Sequence, residues 1–184
     1  MSSSSNSPTP DRGRRRLLGL TLGTAIVAAF VPLSAWADAV SPLLGLRRWG
    51  RGALRRFGFL VYEATLWAGD DPLRPPLALR LDYRRRIAGT AIAEASIDEM
   101  RRLGADPESL AAWQERLAGL FPDVAPGDHI VGLYRPDGAH FLHNGRDLGR
   151  IDDPRFARDF FAIWLDPRTS APELRAALLT PPEV

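Results

Sequence analysis

Between His129 and Ile151 a run of alternating apolar and polar residues is cut twice by turn sequences, Pro136-Asp137-Gly138 and Asn144-Gly145. Asn-Gly favours the two-residue hairpin because both residues accept the left-handed backbone that such a turn needs. Three short strands follow from this: His129 to Tyr134, Ala139 to His143 and Arg146 to Ile151. Turns this tight join antiparallel neighbours, so the segment is a meander. Any fold for the whole chain has to extend an antiparallel sheet.

Two further strands are expected at Leu44 to Arg51 and Phe57 to Trp67, with Gly50 and Gly52 between or within them. In the second, Phe57, Phe59, Val61, Thr65 and Trp67 alternate with Leu60, Tyr62, Ala64 and Leu66, so both sides are largely apolar and the strand is expected inside the sheet, covered on both faces. Asp70 to Pro76 holds three prolines and reads as a loop. Leu77, Leu79, Leu81 and Tyr83 then alternate with Ala78, Arg80 and Asp82, the period of a half-buried strand.

Helical spacing begins where Ser96 and Glu99 stand three apart, as in a capping box, ahead of Met100 and Leu103, with Gly104 as the stop. A second helix is expected from Asp106-Pro107, with Leu110, Trp113, Leu117 and Leu120 on one face. Asp153-Pro154 opens a third with Phe156, Phe160, Ile163 and Trp164 together, and Ser170 with Pro172 starts a short fourth through Leu174 and Leu178. Strands at both ends of a helical middle, followed by more helices, do not form a βαβ repeat. The fold class is α+β, an antiparallel sheet with a layer of helices packed on it.

Residues 1–37 read as an export signal. Arg12, Arg14, Arg15 and Arg16 precede an apolar stretch from Leu17 to Val31, and Ala35-Trp36-Ala37 has the small-residue pattern of a cleavage site. The pair Arg14-Arg15, followed by Arg16, Leu17 and Leu18, resembles the twin-arginine signal, although an ordinary secretory signal remains an alternative. The expected organisation is a signal peptide at 1–37 and one domain at 38–184, placed in the periplasm or secreted. Taking the leader's four arginines and one acid from totals of 24 and 22 leaves 20 against 21. The mature domain therefore has no net positive field to draw nucleic acid.

Absent residue types narrow the chemistry. The chain has no Cys, which removes thiol nucleophiles and thiolate metal sites. It also has no Lys, which removes Schiff-base mechanisms, so its cations are guanidinium groups suited to carboxylates and phosphates. Of three histidines, His140 and His143 stand close in sequence, short of the three protein ligands a zinc site needs. No metal and no cofactor is expected.

Four blocks, in order, resemble the bacterial chalcone isomerase-like family: GALRRFGFLVYEATLW (52–67), LRLDYRRRIAG (79–89), FPDVAPGDHIVGLY (121–134) and FARDFFAIWLDPRTSAPELRAALL (156–179). The resemblance implies the open-faced sandwich of plant chalcone isomerase, whose sheet and helical layer enclose an apolar cleft. It does not by itself imply the activity, since one fold hosts many functions. Carried over by position, the plant enzymes' early-strand Thr falls at Tyr62, the helix Tyr near Ile92, the Asn near Glu99 and the late-helix hydroxyl near Ala157, while Arg51 or Arg55 stands in for the catalytic Arg. Most of that polar constellation is replaced.

The expected function is therefore that of an exported, non-catalytic binder of a small apolar or amphipathic ligand such as a fatty acid. Arg55, Tyr62 and Ile92 are its candidate ligand-binding residues, and Tyr62 and Arg55 are also the candidates for any catalysis. Arg55 is expected to meet a carboxylate at the cleft mouth. Two alternatives stand beside this reading. One is an isomerase or lyase on another substrate, for which Glu63 and Asp82 are possible bases; the other is a membrane-surface module with Trp49 and the arginines of its strand facing anionic lipid. The expected partners are the small ligand, the export machinery and possible membrane contact, without nucleic acid.

Overall fold

The computed structural model describes residues 45–181. The export signal, with Arg14, Arg15, Ala35 and Ala37, lies outside the described residues. Six strands form one sheet: β1 (Arg47–Arg56), β2 (Phe59–Ala68), β3 (Leu77–Tyr83), β4 (His129–Arg135), β5 (Gly138–His143) and β6 (Arg146–Ile151). Each strand lies beside its successor in the chain, and all five pairings are antiparallel. Register shifts interrupt the two outermost pairings, β1–β2 and β5–β6, while the three inner ones run unbroken. Helices α1 (Gly89–Leu103) and α2 (Pro107–Ala118) are inserted between β3 and β4, and α3 (Pro154–Leu165) and α4 (Pro172–Leu178) follow the sheet. The fold is α+β, an open antiparallel sheet carrying helices.

The turns of the meander fall where their residues demand. Asn144 and Gly145 both hold positive φ, 50° and 80°, between β5 and β6. Asp106 and Asp153 accept hydrogen bonds from backbone N–H groups in the first turns of α2 and α3, each ahead of a proline whose missing donor costs nothing there. Helix α3 then lays Phe156, Phe160, Phe161 and Trp164 against the sheet, and its contacts run to β4 and β5, while α4 covers β1 and β2. Helix α1 rests on α2 and α3 and stands off the strands. A second, smaller apolar cluster around Trp67, Ala78 and Val131 is buried separately from this main core.

Three expectations need correction. The first strand does not stop at Arg51 but runs to Arg56, so the break falls at Phe57-Gly58 and Phe57, expected in the second strand, lies in the turn; of the two placements open to Gly50 and Gly52, between or within the strands, the structure has the second. Both earlier glycines lie inside β1, where α4 comes so close that a Cβ on Gly52 would stand 2.7 Å from Leu174 Cδ1 and one on Gly50 would overlap the Ala177 carbonyl. Helix α1 begins seven residues before Ser96, and the Ser96 hydroxyl donates to the Ile92 carbonyl at 2.8 Å within the helix instead of capping it. Strand β3 is buried on both faces rather than one. Its Arg80 is only 4% exposed and donates two short bonds, 2.7 and 3.0 Å, to the Asp82 carboxylate, the pairing that a buried guanidinium requires.

Candidate ligand cavity

Where α1 stands off the sheet, a cavity of about 280 Å³ opens between them. Its floor comes from one face of the sheet, Leu79 and Leu81 on β3, Ile130 and Gly132 on β4 and Phe141 on β5, all at alternate positions as the pleat requires. Its roof is Ile87, Ile92 and Ala95 with Phe160 and Trp164 from α3. Gly132 is what lets α3 come down on the sheet, since a Cβ there would stand 3.1 Å from Phe161 Cζ. The back wall is rigid because Phe141 makes edge-to-face contacts with Phe121 at 5.2 Å and Phe160 at 5.1 Å between centroids.

One end of the cavity is polar. There Trp164 Nε1 donates to the Tyr62 hydroxyl at 2.9 Å, and no described group accepts the phenol's own proton. Burial pushes the Tyr62 phenol up to about 12 against the opposing pull of the Trp164 bond and of Arg56, with Glu99 adding a small upward push. Tyr62 meets Tyr83 edge to face at 5.9 Å, and burial raises the Tyr83 phenol too. Both phenols are neutral donors across the physiological range.

Glu99 sits at the same end but is committed. It accepts from Arg102 Nη2 at 2.5 Å and from the Ser170 backbone N–H at 3.0 Å, strapping α1 to the loop ahead of α4. The Arg102 bond, outweighing the cost of burial and helped by Ser170, holds its carboxyl down at about 2. Arg56 also lines the cavity, and among the described residues its guanidinium has neither a hydrogen bond nor an ion pair. Exposed Arg56, Ala91, Ala95 and Ser170 mark the mouth.

The residues singled out from sequence separate here. Tyr62 and Ile92 stand in the cavity wall, whereas Arg55 does not: it is exposed, and its Nη1 reaches the Gly58 carbonyl at 3.5 Å. The guanidinium at the cavity is the neighbouring Arg56. A signal for it was present, because Gly50, Gly52, Leu54 and Arg56 share the parity of the β1 face on which α4 and the cavity lie. Arg51 is likewise taken, donating to Glu63 at 2.7 Å, and Arg84 binds the same carboxylate. Glu63 and Asp82 are thus saturated by arginine, and Ala157 is wholly buried in α3 outside the cavity lining. His140 pairs with Asp147 at 2.7 Å, and among the described residues no group of three or more His, Asp and Glu is placed to hold a metal ion.

Comparison with known proteins adds three findings. A family model described as chalcone isomerase-like matches residues 50–180. A Haemophilus influenzae protein described as uncharacterized is 30% identical over 124 residues, 66% of this chain, and the chain spans about three fifths (61%) of that relative's length. The crystal structure of an Arabidopsis thaliana fatty-acid binding protein superposes with a TM-score of 0.56 at 13% identity, covering 73% of this chain and 86% of that one. At that identity the likeness is one of fold.

Proposed function

Because the chain belongs to the chalcone isomerase-like family, in which fold does not dictate activity, we propose from its own cavity that it is a non-catalytic binder of a small amphipathic acid, a fatty acid in particular. The observation that carries this reading is the cavity's division into two parts. Its body is hydrocarbon, and its one polar end offers an uncommitted phenol proton on Tyr62 beside the unpaired guanidinium of Arg56. Two donors converging at the end of an apolar slot suit a carboxylate with a chain behind it. The Arabidopsis protein that shares the fold is a fatty-acid binding protein, which supports the same ligand class. The acids considered as general bases, Glu63 and Asp82, are each bound to arginine, as is Glu99 at the cavity, and the Tyr62 phenol holds its proton at neutral pH. That arrangement binds an anion better than it moves a proton.

The volume limits the chain. With the carboxylate held at the mouth by Arg56 and Tyr62, the alkyl chain has to fit within the cavity of about 280 Å³, which bounds its length. Calorimetry with decanoate and decanol is the test. Replacing Arg56 with Gln should weaken decanoate by about 10- to 100-fold, the worth of a charge-assisted bond of about 1.5 to 3 kcal/mol, and leave decanol almost unchanged. Arg55→Gln should move neither. Equal losses for acid and alcohol would remove Arg56 as the anchor, and failure of both ligands to bind the unaltered protein would end the binder reading.

Export belongs to the same proposal and rests on the sequence of residues 12–37. Changing Arg14 and Arg15 together to Lys should leave an unprocessed precursor in the cytoplasm, as cell fractionation and intact mass would show. Normal cleavage after Ala37 in that double variant would rule out the twin-arginine route.

A further inference from the structure

The turn between β1 and β2 opens on a residue that a tight hairpin does not favour, Phe57. Phe57 and Gly58 hold φ of 51° and 80°, the left-handed pair that Asn-Gly supplies between β5 and β6. A bulky residue in that conformation is a backbone outlier, and strain of this kind persists where function holds it. Packing does not hold Phe57, whose surface is 98% exposed, and Phe59 across the turn is 61% exposed. The fold therefore presents two aromatic rings at the extreme tip of its first hairpin, with no partner in the core to account for either.

Charge surrounds them. Arg55 and Arg56 precede the turn, and Arg84, Arg85 and Arg86 lie in the segment after β3, whose Arg84 N–H donates to the Val61 carbonyl at 2.9 Å. Glu63 occupies Arg84 and Arg51. Of the rest, Arg85 stacks on the Phe59 ring at 4.9 Å and Arg55 reaches only the Gly58 carbonyl, and none of Arg55, Arg56, Arg85 and Arg86 has a carboxylate partner among the described residues. Exposed aromatic rings ringed by unneutralised guanidinium groups match a bilayer surface, where rings enter the headgroup region and cations meet anionic lipid.

We infer that the Phe57–Phe59 tip with its arginine ring is a docking site for an anionic lipid bilayer. Trp49, expected from sequence to share in such a contact, does not: it is half-buried at the other end of β1, its Nε1 donates to the Gly69 carbonyl at 2.8 Å, and Arg47 lies over its ring. Docking at the tip brings the bilayer near Arg56 at the cavity mouth, so a lipid-borne acid would have a short path to the cavity. The inference does not rest on the binder reading.

The chain's lack of cysteine makes the test direct. A full-length Phe57→Cys protein carries one thiol, which takes an environment-sensitive nitrobenzoxadiazole dye. A second protein with the dye at Ala112→Cys, on the exposed side of α2, serves as reference. Vesicles of phosphatidylcholine with phosphatidylglycerol should shift the emission at position 57 to the blue and leave position 112 unmoved. Vesicles of phosphatidylcholine alone should do neither. Adding Arg55→Gln, Arg85→Gln and Arg86→Gln should weaken the response by about fivefold for each arginine, about 100-fold in all; Arg56 is left in place because the cavity uses it. No shift at 57 with the anionic vesicles, an equal shift with neutral vesicles, or an equal shift at 112 would each overturn the inference. So would the same shift with soluble polyglutamate, which would assign the tip to an acidic polypeptide. These vesicles contain no free fatty acid, so a negative result leaves the cavity reading standing.

Discussion

Gly89→Ala is expected to destabilise the protein at or above the upper end of the roughly 1–3 kcal/mol range for overpacking, and to weaken ligand binding with it. A Cβ at Gly89 would overlap the carbonyl oxygen of Phe121 and crowd Pro122 behind it. Neither segment has room to yield. The Gly89 N–H donates to Asp123 Oδ1 at 2.9 Å, and Ile87 and Val124 exchange both backbone hydrogen bonds, at 3.0 and 2.9 Å, one step away. Because α1 starts here, any relief must displace the turn that carries Ala91 and Ile92 over the cavity. Urea unfolding midpoints read the effect. Gly69→Ala is the reference, because a Cβ at Gly69 meets nothing within 4 Å and should change stability little. A Gly89→Ala protein as stable as the Gly69→Ala one would show that the segment at Phe121 moves freely.

Phe141→Ala should cost about 3 to 5 kcal/mol, the usual loss for an emptied aromatic site in a close-packed core. The Phe141 side chain is wholly buried and touches Phe121, Phe156 and Phe160, so its neighbours are themselves held and collapse into the space is limited. The vacated volume adjoins the cavity floor. Two opposite outcomes should therefore appear in the same variant: a lower unfolding midpoint and a preference moved toward longer acids. Ligand present in excess should restore part of the midpoint by mass action. A destabilised protein whose chain-length preference stays at that of the unaltered one would separate Phe141 from the cavity.

How far these features can be read from sequence depends on whether their cause is local. The turns of the β4–β6 meander are written in adjacent residues, and the caps of α2 and α3 in Asp-Pro pairs, so their positions agree with the residue pattern. The start of α1 is different, since its first N–H is held by Asp123, 34 residues downstream. No window around Gly89 contains that partner, and Ser96 with Glu99 mimics a cap while serving other contacts. The β1–β2 turn is hidden for a related reason. Phe57 breaks the residue preference of its own conformation, whereas Gly50 and Gly52, which look like turn residues, are glycines because α4 approaches them. At the candidate site, Tyr62 and Ile92 are picked out by rough position against the plant enzymes, and both stand in the cavity wall. The choice between Arg55 and Arg56 turned on strand parity, and the cavity itself depends on how far α1 stands from the sheet, a distance that no run of residues encodes.

The two strands at the margins of the sheet leave backbone donors and acceptors facing outward, the template on which a second chain could add itself. Both margins are spoiled for that purpose. The register shifts fall in the two outermost pairings, where a bulge bends the strand away from the straight, repetitive geometry that an incoming strand needs. Exposed Arg48 and Arg55 on β1, with Arg146 on β6, have no carboxylate partner among the described residues and set like charges against any identical copy that approached in line. Each margin of the open six-stranded sheet thus carries a feature that works against growth by strand addition.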